Sequence, residues 1–529
     1  MNASRRGFLK GLMGASAFAI GGCKCPLGCQ KIKLAVVGVM GKGFTDWTPM
    51  LKSGLVEIVA FCDADALMRE KAQRQLAVKG ISFDMYKVPF YTDVRKLLDD
   101  AGILGIDAMT VSTPDHMHGY IAIQAMRQGI HVYVQKPLVR TLWELDLFNR
   151  TAKENGVITQ MGNQGSALDS MRRCTEVLQS GILGDVTEAH VWTNLPVWPQ
   201  GKGVADYVKS RGGKGDPVRK GLNWDAWLGT AAMRNFKGAY PEGKKGYDPW
   251  NLCSGVYHSF SWRGFFDFGC GAFGDMACHT MNLPFRGLEL GNFKSGECLK
   301  IEEKNDVAYP TKSLVKLVYG ERASNCRPGV TLPECAVYWY DGFDPAKDPK
   351  GVKLSGLKPS KDVMPKVVAT FGDVPNTGCY IKGTKGEVVM MDDYGGRCAI
   401  ALKDDAKLVD IFQHEAAQAV ARVIPYRVDA SAAIDKGGSG TGAPAVAADG
   451  HYVEFLQAIR GEGPYYDQVH SRCFSDVDYS VPIMEGILVG CIAQQVEGRL
   501  DWCAKSQSFP KNAAANALVK PFLRKGWEV

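Results

Sequence analysis

Paired cysteines, basic stripes and long apolar runs are all missing from this chain. Its sixteen cysteines include no Cys-x-x-Cys pair, so the redox motifs and zinc sites built on such pairs are not expected. No basic stripe with interleaved aromatic residues is present, which argues against nucleic acid as a partner. The apolar run Gly11–Gly22 is too short for a committed membrane span.

The bulk composition is ordinary for a soluble globular protein. Hydrophobic residues make up 46% and charged residues 22% of the chain. At 529 residues the chain is long for one core, which predicts two or three domains. The net charge of +7 falls to +4 without the basic residues Arg5, Arg6 and Lys10, which is unremarkable for this length.

The first residues have the form of an export signal. Ser4–Lys10 reads Ser-Arg-Arg-Gly-Phe-Leu-Lys, and residues 1–22 contain no acid. This pattern predicts a leader read by the twin-arginine export machinery, and therefore a periplasmic or cell-envelope protein that is exported folded. Ile20–Cys23 resembles a lipoprotein cleavage site, so lipidation of Cys23 is the only membrane attachment expected, with plain cleavage nearby as the alternative. Residues 1–30 are assigned to this leader and tether.

Residues 31–160 alternate apolar, strand-like runs with amphipathic helical stretches. The predicted strands are Ile32–Val37, Val56–Cys62, Ile106–Ser112, Ile130–Val134 and Val157–Met161. The predicted helices are Ala66–Lys79, His118–Gln128 and Thr141–Asn155. Such alternation predicts parallel strands joined by crossover helices, which is an α/β Rossmann-type doubly wound sheet.

The remainder of the chain is richer in glycine, proline and aromatic residues. We expect a C-terminal α+β domain over residues 161–505, with a large, mostly antiparallel open sheet, and a tail over residues 506–529. Its clearest predicted strands are Thr187–Thr193, Leu314–Tyr319 and Cys335–Tyr340. Two glycine-rich stretches are predicted as long surface loops, Gly201–Gly221 and Asp429–Gly450.

A glycine-rich turn follows the first predicted strand. Gly38 and Gly43 take the first and third positions of the dinucleotide-binding fingerprint, while Met40 stands at the second, beside Gly41. Asp63 ends the second strand 20 residues after Gly43, where a carboxylate accepts hydrogen bonds from the adenosine ribose. The strand–glycine–helix–strand context predicts a nucleotide site here rather than a simple helix cap.

The charges near this turn favour NAD over NADP. The carboxylate of Asp63 would repel a 2′-phosphate, and no arginine follows it directly. Arg69 and Lys42 leave NADP as the alternative. Because an exported enzyme loses access to the cytoplasmic pool of free cofactor, we expect the nucleotide to stay tightly bound and to be recycled in place.

Two later motifs resemble a known enzyme family. Gln135-Lys136-Pro137 follows the predicted strand Ile130–Val134, and Asp275 stands four residues before His279. Together with the glycine turn and with Ser112–His118 at the end of the predicted strand Ile106–Ser112, they resemble the glucose–fructose oxidoreductase/inositol dehydrogenase (Gfo/Idh/MocA) family. The hallmark of that family after the fifth strand is Glu-Lys-Pro, so Gln135 is a departure from it. The resemblance implies cofactor contacts at Gly38, Met40, Gly41, Lys42, Gly43, Asp63, Ser112, Thr113, Pro114, His118, Gln135, Lys136 and Gln164.

Hydride transfer from a carbinol carbon requires that the hydroxyl proton leave as well. A histidine of near-neutral pKa suits that task, and a nearby ammonium stabilises the developing alkoxide. We assign His279 as general acid/base and Lys136 as hydrogen-bond donor to the reacting oxygen. Asp275, on the same helical face as His279, is expected to orient His279 or to grip a neighbouring hydroxyl. No metal is expected; a site made of Asp275, His279 and His258 is the competing idea.

Aromatic residues mixed with amide, arginine and acid groups suit a carbohydrate, whose rings present apolar faces and hydroxyls. Trp198, between two prolines, and Arg263 are the strongest candidates for substrate contact. The full predicted set is Asn163, Trp198, Tyr257, His258, Trp262 and Arg263. Core packing is the alternative explanation for most of these aromatic residues.

These observations predict an exported, NAD-dependent sugar oxidoreductase that acts on a ring hydroxyl. One alternative is an NAD-dependent glycoside hydrolase that works by transient oxidation and elimination; as the resemblance implies, members with that activity lack the Lys-Pro pair. A second alternative is a non-catalytic sugar-binding lipoprotein. The resemblance also implies a homo-oligomer formed through the open sheet.

Overall fold

A computed structural model of the chain describes residues 30–238, 255–342, 357–425, 445–462 and 473–529. The predicted twin-arginine signal and the lipidation site at Cys23 lie outside these residues. Residues Ile32–Val529 form one compact unit, and the predicted domain boundaries at residues 160 and 505 stay predictions. Within the described ranges, no helix is both long enough and apolar enough to cross a membrane.

The first sheet is the predicted doubly wound one. It has six parallel strands in the order β3-β2-β1-β4-β5-β6. Its strands are β1 (Ile32–Val37), β2 (Val56–Cys62), β3 (Phe90–Tyr91), β4 (Ala108–Val111), β5 (His131–Val134) and β6 (Thr159–Met161). The strand order reverses between β1 and β4, and ligands of such sheets bind beyond the carboxyl ends of the strands at that point.

Helices cover both faces of this sheet, which is why its strands read as nearly unbroken apolar runs. The helices are α1 (Lys42–Lys52), α2 (Leu67–Val78), α3 (Val94–Asp99), α4 (Ala101–Leu104), α5 (Asp115–Arg127) and α6 (Leu142–Asn155). The three predicted helices correspond to α2, α5 and α6, with ends displaced by up to three residues. Strand β3 was missed, because two residues at a sheet edge leave no periodic pattern in the sequence.

The second sheet has nine strands in the order β16-β15-β14-β13-β7-β12-β9-β8-β17. Only the β7–β12 pair is parallel, so the predicted, mostly antiparallel sheet is confirmed. The strands, with a separate β10–β11 hairpin, are β7 (Glu188–Trp192), β8 (Phe293–Glu302), β9 (Lys312–Tyr319), β10 (Arg322–Ala323), β11 (Thr331–Leu332), β12 (Cys335–Gly342), β13 (Gly378–Lys382), β14 (Gly386–Met390), β15 (Cys398–Leu402), β16 (Val409–Asp410) and β17 (Leu500–Asp501).

Two long helices pack one face of this sheet and build its core. Phe273 of the helix Gly271–Thr280 stacks on Trp339 of β12, with ring centroids 4.7 Å apart. A Cβ at Gly490 of the helix Val477–Ala493 would lie 1.9 Å from the Phe273 ring, so this close packing requires glycine. The helices of this part of the chain are α7 (Asp169–Gln179), α8 (Lys202–Ser210), α9 (Trp224–Leu228), α10 (Gly271–Thr280), α11 (Asn282–Gly287), α12 (Pro365–Phe371), α13 (Glu415–Gln418), α14 (Ala445–Ile459), α15 (Val477–Ala493) and α16 (Ala513–Asn516).

Both predicted surface loops contain helix where the structure describes them; residues 429–444 lie outside the described residues. Residues 202–210 of the stretch Gly201–Gly221 form α8, and the end of Asp429–Gly450 belongs to α14. The prediction gave glycine too much weight, since alanine-rich and mixed segments favour helix when one face can be buried. Helix α14 packs against α1 and contributes Tyr452, Phe455 and Leu456 to the hydrophobic core of the first sheet.

Candidate active site

The glycine turn after β1 is shaped by close backbone contacts. Gly38 has φ +82°, and a Cβ there would lie 2.3 Å from the carbonyl oxygen of Ser112. A Cβ at Gly43 would lie 1.9 Å from the carbonyl oxygen of Gly38. Larger residues cannot occupy either position without moving the backbone, so the fingerprint glycines hold β1, β4 and α1 together.

Gly41 has a different role, because its environment is open. Its φ is +62°, and a Cβ built on it would meet no protein atom within 4 Å. It directly precedes α1, whose first backbone N–H groups and dipole favour a phosphate at that end. Met40, at the second fingerprint position, packs against the core of the first sheet instead. The open space at Gly41 therefore suits the pyrophosphate of a dinucleotide.

Asp63 lies at the carboxyl end of β2, as predicted. Its carboxylate accepts hydrogen bonds from the backbone N–H of Val39 at 3.1 Å and of Asp65 at 3.0 Å. Burial raises its pKa to about 6 despite these two bonds. Each carboxylate oxygen keeps a second acceptor position, which is what a ribose hydroxyl requires.

Arg69 and Lys42, the two basic residues that kept NADP as the alternative cofactor, both bind groups of the protein itself. The Arg69 guanidinium donates to the carbonyl oxygens of Met85 at 2.8 Å and Val88 at 3.1 Å. The Lys42 ammonium bonds to Asp46 and, at 2.8 Å, to the Tyr452 hydroxyl. Both cations are thus bound by groups of the protein itself, in agreement with the NAD preference argued from Asp63.

Asp46 in α1 is the hub of a buried polar network that joins three predicted cofactor residues. Its side chain is fully buried and pairs with Lys42. It also accepts hydrogen bonds from the Ser112 hydroxyl at 2.7 Å and the Tyr452 hydroxyl at 2.9 Å. The Gln135 amide donates to both of its oxygens, at 3.1 and 3.0 Å. This network fixes the ends of α1, β4 and β5 relative to one another.

The network explains why glutamine stands at position 135. A glutamate there would place a second carboxylate about as close to Asp46 as the amide now lies, at 3.0 Å. Gly162 leaves the space for this side chain, since a Cβ there would lie 2.4 Å from the Gln135 amide nitrogen. Asp46 of α1 therefore supplies the carboxylate of this network, and Gln135 donates hydrogen bonds to it.

The loops after β4 and β5 are tied together by His118. Its Nδ1 lies 2.7 Å from the Pro137 carbonyl oxygen and its Nε2 2.9 Å from that of Thr113. Burial lowers the pKa of His118 to about 4. Pro114 precedes α5, and the buried Thr113 hydroxyl has no hydrogen-bond partner among the described residues. His118 thus shapes the cleft at the carboxyl ends of the strands.

Lys136 and Asp275 form a largely buried ion pair at the carboxyl end of β5. The Lys136 ammonium lies 2.9 Å from the Asp275 carboxylate and donates to the Asp275 carbonyl oxygen at 3.0 Å. The Arg263 Nε lies 3.5 Å from the same carboxylate. Asp275 therefore accepts hydrogen bonds from Lys136 and has none with His279. It positions the lysine, whereas the sequence led us to expect that it orients the histidine.

His279 lies one turn further along α10 and is kept neutral. Burial and the nearby Lys136 cation hold its pKa well below the ordinary value. Its Nδ1 is buried without a hydrogen-bond partner in the described part of the chain. The ring packs edge-on against Tyr394, with centroids 4.7 Å apart. A neutral imidazole beside a cation can accept a proton from a bound hydroxyl.

Comparison with known proteins places this geometry in a family. The family model described as an oxidoreductase family with an NAD-binding Rossmann fold (GFO_IDH_MocA) matches residues 32–163. Over these residues, about a quarter of the chain, the protein matches the Gfo/Idh/MocA oxidoreductase family. The match confirms the predicted family, the Rossmann fold and the NAD class of cofactor.

Individual relatives match only part of the chain. Glycosyl hydrolase family 109 protein 2 of Akkermansia muciniphila is 30% identical over 175 residues, which are 32% of this chain and 34% of that protein. The scyllo-inositol 2-dehydrogenase (NAD+) of Bacillus subtilis is 29% identical over 186 residues, 35% of this chain and 49% of that protein. The chain thus spans less than half the length of either relative.

Solved structures extend the likeness over nearly the whole chain. One of them is an inositol dehydrogenase homolog from Azotobacter vinelandii in complex with NADH and myo-inositol. The alignment covers 90% of this chain and 99% of that chain. The TM-score is 0.52 and the sequence identity 14%. At that identity the likeness shows a shared fold of both parts of the chain.

The candidate site also contains acids that the sequence motifs did not single out. Asp115 begins α5 and accepts a hydrogen bond from the Cys270 N–H at 3.1 Å. Burial and the nearby Asp275 raise its pKa to about 8, so it is protonated at neutral pH. Asp393 follows β14; burial raises its pKa to about 6, and the Lys136 cation acts against that rise. Asp115 lies within the Ser112–His118 motif, whereas nothing in the local sequence points to Asp393.

Two predicted amide residues line the same region. Asn163 is fully buried, and its amide lies 3.4 Å from the Cys278 carbonyl oxygen, next to His279. The side-chain amide oxygens of Asn163 (Oδ1) and Gln164 (Oε1) have no hydrogen-bond partner among the described residues. Unsatisfied buried acceptors beside a cleft fit ligand hydroxyl or amide groups, which would satisfy them.

The predicted aromatic substrate contacts are divided. Arg263 reaches the Lys136–Asp275 pair and is enclosed by Phe260, Trp262 and Trp198, with distances to their ring centroids of 4.4, 4.2 and 5.9 Å. Trp198 is buried and donates to Gln200 at 2.9 Å. Substrate contact by Trp198 and Arg263 stays a prediction, as does contact by Trp262.

Tyr257 and His258 lie in the aromatic cluster beside α9. Tyr257 packs on Phe265 at 4.8 Å, and His258 lies 3.6 Å from the Asp65 carboxylate. Core packing accounts for the burial of Tyr257, and His258 lies beside Asp65; substrate contact by either residue stays a prediction. Across the described ranges, no cluster of three or more His, Cys, Asp or Glu side chains has the arrangement of a metal site.

Proposed function

We propose that this protein is an NAD-dependent oxidoreductase that oxidises a ring hydroxyl of a sugar, glycoside or polyol. The observation that carries the proposal is the Lys136–Asp275 ion pair of 2.9 Å next to a neutral, buried His279, at the carboxyl end of β5. On the same edge of the sheet, the open space at Gly41 fits the pyrophosphate of a dinucleotide, and the Asp63 carboxylate fits the hydroxyls of its ribose.

Each side chain then has a defined task. NAD supplies the hydride-accepting carbon when it is bound. His279 takes the proton of the substrate hydroxyl, which a neutral imidazole can do and an imidazolium cannot. Lys136 donates a hydrogen bond to the same oxygen and stabilises its developing negative charge, and Asp275 holds the ammonium in place. Burial strengthens the hydrogen bond donated by Lys136 and the ion pair of Lys136 with Asp275, because the local dielectric is low.

The test combines nucleotide retention with a substrate screen. Mass spectrometry and fluorescence of the purified protein should detect bound NAD or NADH, and a screen of sugars, glycosides and polyols should reveal a product that lacks two hydrogen atoms. We expect His279→Ala to abolish turnover while the nucleotide stays bound. Unchanged turnover in that variant would refute the assignment.

The finer features of the proposal are export, anchoring and assembly. The twin-arginine motif and the cysteine at position 23 support a folded, periplasmic or envelope-bound enzyme whose NAD is recycled in place by a second sugar or ketone. A homo-oligomer through the open sheet is part of the same proposal. Cell fractionation of an Arg5→Lys, Arg6→Lys double variant tests export, and loss of fatty-acid labelling in Cys23→Ser tests the anchor.

A second candidate is a glycoside hydrolase that oxidises, eliminates, hydrates and reduces with no net redox change. The family 109 name of one relative favours it, over a third of the chain. The Lys136-Pro137 pair weighs against it, because members with that activity are expected to lack the pair. Release of aglycone from a chromogenic glycoside without a keto-sugar would identify this activity. Absence of both reactions would leave a sugar-binding lipoprotein.

A further inference from the structure

A segment of the second part of the chain crosses the adenosine end of the nucleotide site. We call residues 219–228 the strap. Its Gly221 carbonyl oxygen accepts from the Ala66 N–H at 2.8 Å, and its Asn223 N–H donates to the Ala64 carbonyl oxygen at 2.7 Å. These bonds flank an antiparallel bridge between Leu222 and Asp65. The strap thus pairs with the backbone that directly follows Asp63.

A buried ion pair fastens the strap at this point. The Arg219 guanidinium bonds to the Asp65 carboxylate, whose side chain is only 1% exposed, while Arg219 is 31% exposed. His258 Nε2 lies 3.6 Å from the same carboxylate oxygen. A buried carboxylate that loses its partner is strongly destabilised, so the ion pair resists separation of the strap from the Asp65 segment.

The strap continues over the ends of two more strands. The Asn223 amide donates to the Thr92 carbonyl oxygen, just after β3, at 3.2 Å. The Trp227 carbonyl oxygen lies 3.1 Å from His116 Nε2 in α5, just after β4. The strap therefore covers the carboxyl ends of β2 and β3, beside Asp63, the expected acceptor for the adenosine ribose, and reaches the segment after β4.

We propose that the strap is the outer wall of the adenosine subsite and that the Arg219–Asp65 ion pair sets how slowly the dinucleotide leaves. This inference rests on the proposed function, because it takes a bound dinucleotide as its premise. A ligand enclosed behind paired backbone can leave only when those bonds open, and most differences in affinity appear in the dissociation rate. The closed strap would give the long residence time that recycling in place demands.

The test measures residence time and does not depend on turnover. The full chain is loaded with NADH, excess NAD+ is added, and the decay of bound-NADH fluorescence gives the dissociation rate. We expect Arg219→Ala to release NADH at least ten times faster than the wild type, and Arg219→Lys to fall between them. Asp65→Asn, which removes the charge but keeps the shape, should also speed release.

The matched control is Lys202→Ala. Lys202 forms an exposed ion pair with Asp206 on α8, just before the strap, with side chains 63% and 57% exposed. It should leave the rate unchanged, and circular dichroism checks that every variant is folded. If folded Arg219→Ala and Asp65→Asn both release NADH at the wild-type rate, the strap has no such role, while the proposed function stands. If the wild type binds no dinucleotide at all, the proposed function itself is overturned.

Discussion

Gln135→Glu is the sharpest test of the Asp46 network. The substitution is isosteric, so it changes charge and hydrogen bonding without changing volume. It replaces the amide that donates to both Asp46 oxygens, at 3.1 and 3.0 Å, by a second carboxylate in a site closed to water. The native state must then either hold two adjacent negative charges or take up a proton.

The magnitudes decide between these outcomes. Two unit charges about 3 Å apart repel by roughly 5 kcal/mol at an effective dielectric constant of about 20. Protonating a carboxyl group of ordinary pKa, about 4.3, costs about 3.7 kcal/mol at pH 7. Proton uptake is the cheaper outcome, and the protonated glutamate regains a hydrogen bond to Asp46. We therefore expect Gln135→Glu to lower the free energy of unfolding by about 2 to 4 kcal/mol at pH 7.

The sign of the pH dependence follows from this uptake. A carboxyl whose pKa is raised by folding destabilises the native state above its unfolded pKa, so the penalty grows as the pH rises from about 4.3 and is small at pH 4.5. Urea unfolding at pH 4.5, 6 and 7.5 measures it, with Gln135→Met as the uncharged control whose loss is equal at every pH. A Gln135→Glu protein with wild-type stability and slope would refute the network.

Three further predictions concern the cofactor turn and the buried acids. Gly41 and Gly54 both have a positive φ and open surroundings, so replacing either by alanine should cost about 1 kcal/mol of stability. Only Gly41→Ala should weaken NAD binding in titration calorimetry. Equal affinities of the two variants would argue against a pyrophosphate site at Gly41. Because the pKa of Asp63 is about 6, NAD affinity should fall up to about tenfold between pH 7 and pH 5, and Asp63→Asn should bind more weakly at pH 7 with no such slope. Asp115, with a pKa raised to about 8, holds a proton that unfolding releases, so it lowers stability by up to about 1.4 kcal/mol per pH unit from pH 4 to 8; Asp115→Asn should flatten that slope in urea unfolding at pH 5, 7 and 9, and an unchanged slope would contradict the burial argument.

The sequence predicted the parts of the fold that repeat a local pattern. Five of the six strands of the first sheet were found because each is a short apolar run followed by a helical period. Gly38, Gly43 and Asp63 were found because their spacing reflects one turn and one crossover. The structure keeps all three in the expected positions, with contacts that only glycine permits at two of them.

What escaped prediction depends on contacts between distant segments. Asp46 reads as an ordinary helix residue, and its importance comes from Tyr452, which lies 406 residues away in the chain. Asp393 and Tyr394 stand in a turn after β14, and only the second sheet brings them to His279 and Lys136. Such residues carry no local signal, because their chemistry is set by what packs against them.

Helix α14 makes the hydrophobic core of the nucleotide-binding domain depend on residues near the C-terminus. Its Tyr452, Phe455 and Leu456 fill a core shared with Trp47 and Met50, and the Tyr452 hydroxyl completes the partners of Asp46. During synthesis, therefore, the first 160 residues leave the ribosome long before this core can close. They must wait, partly exposed, until residue 459 has been made. We therefore expect the nucleotide-binding domain, expressed alone, to leave this core open.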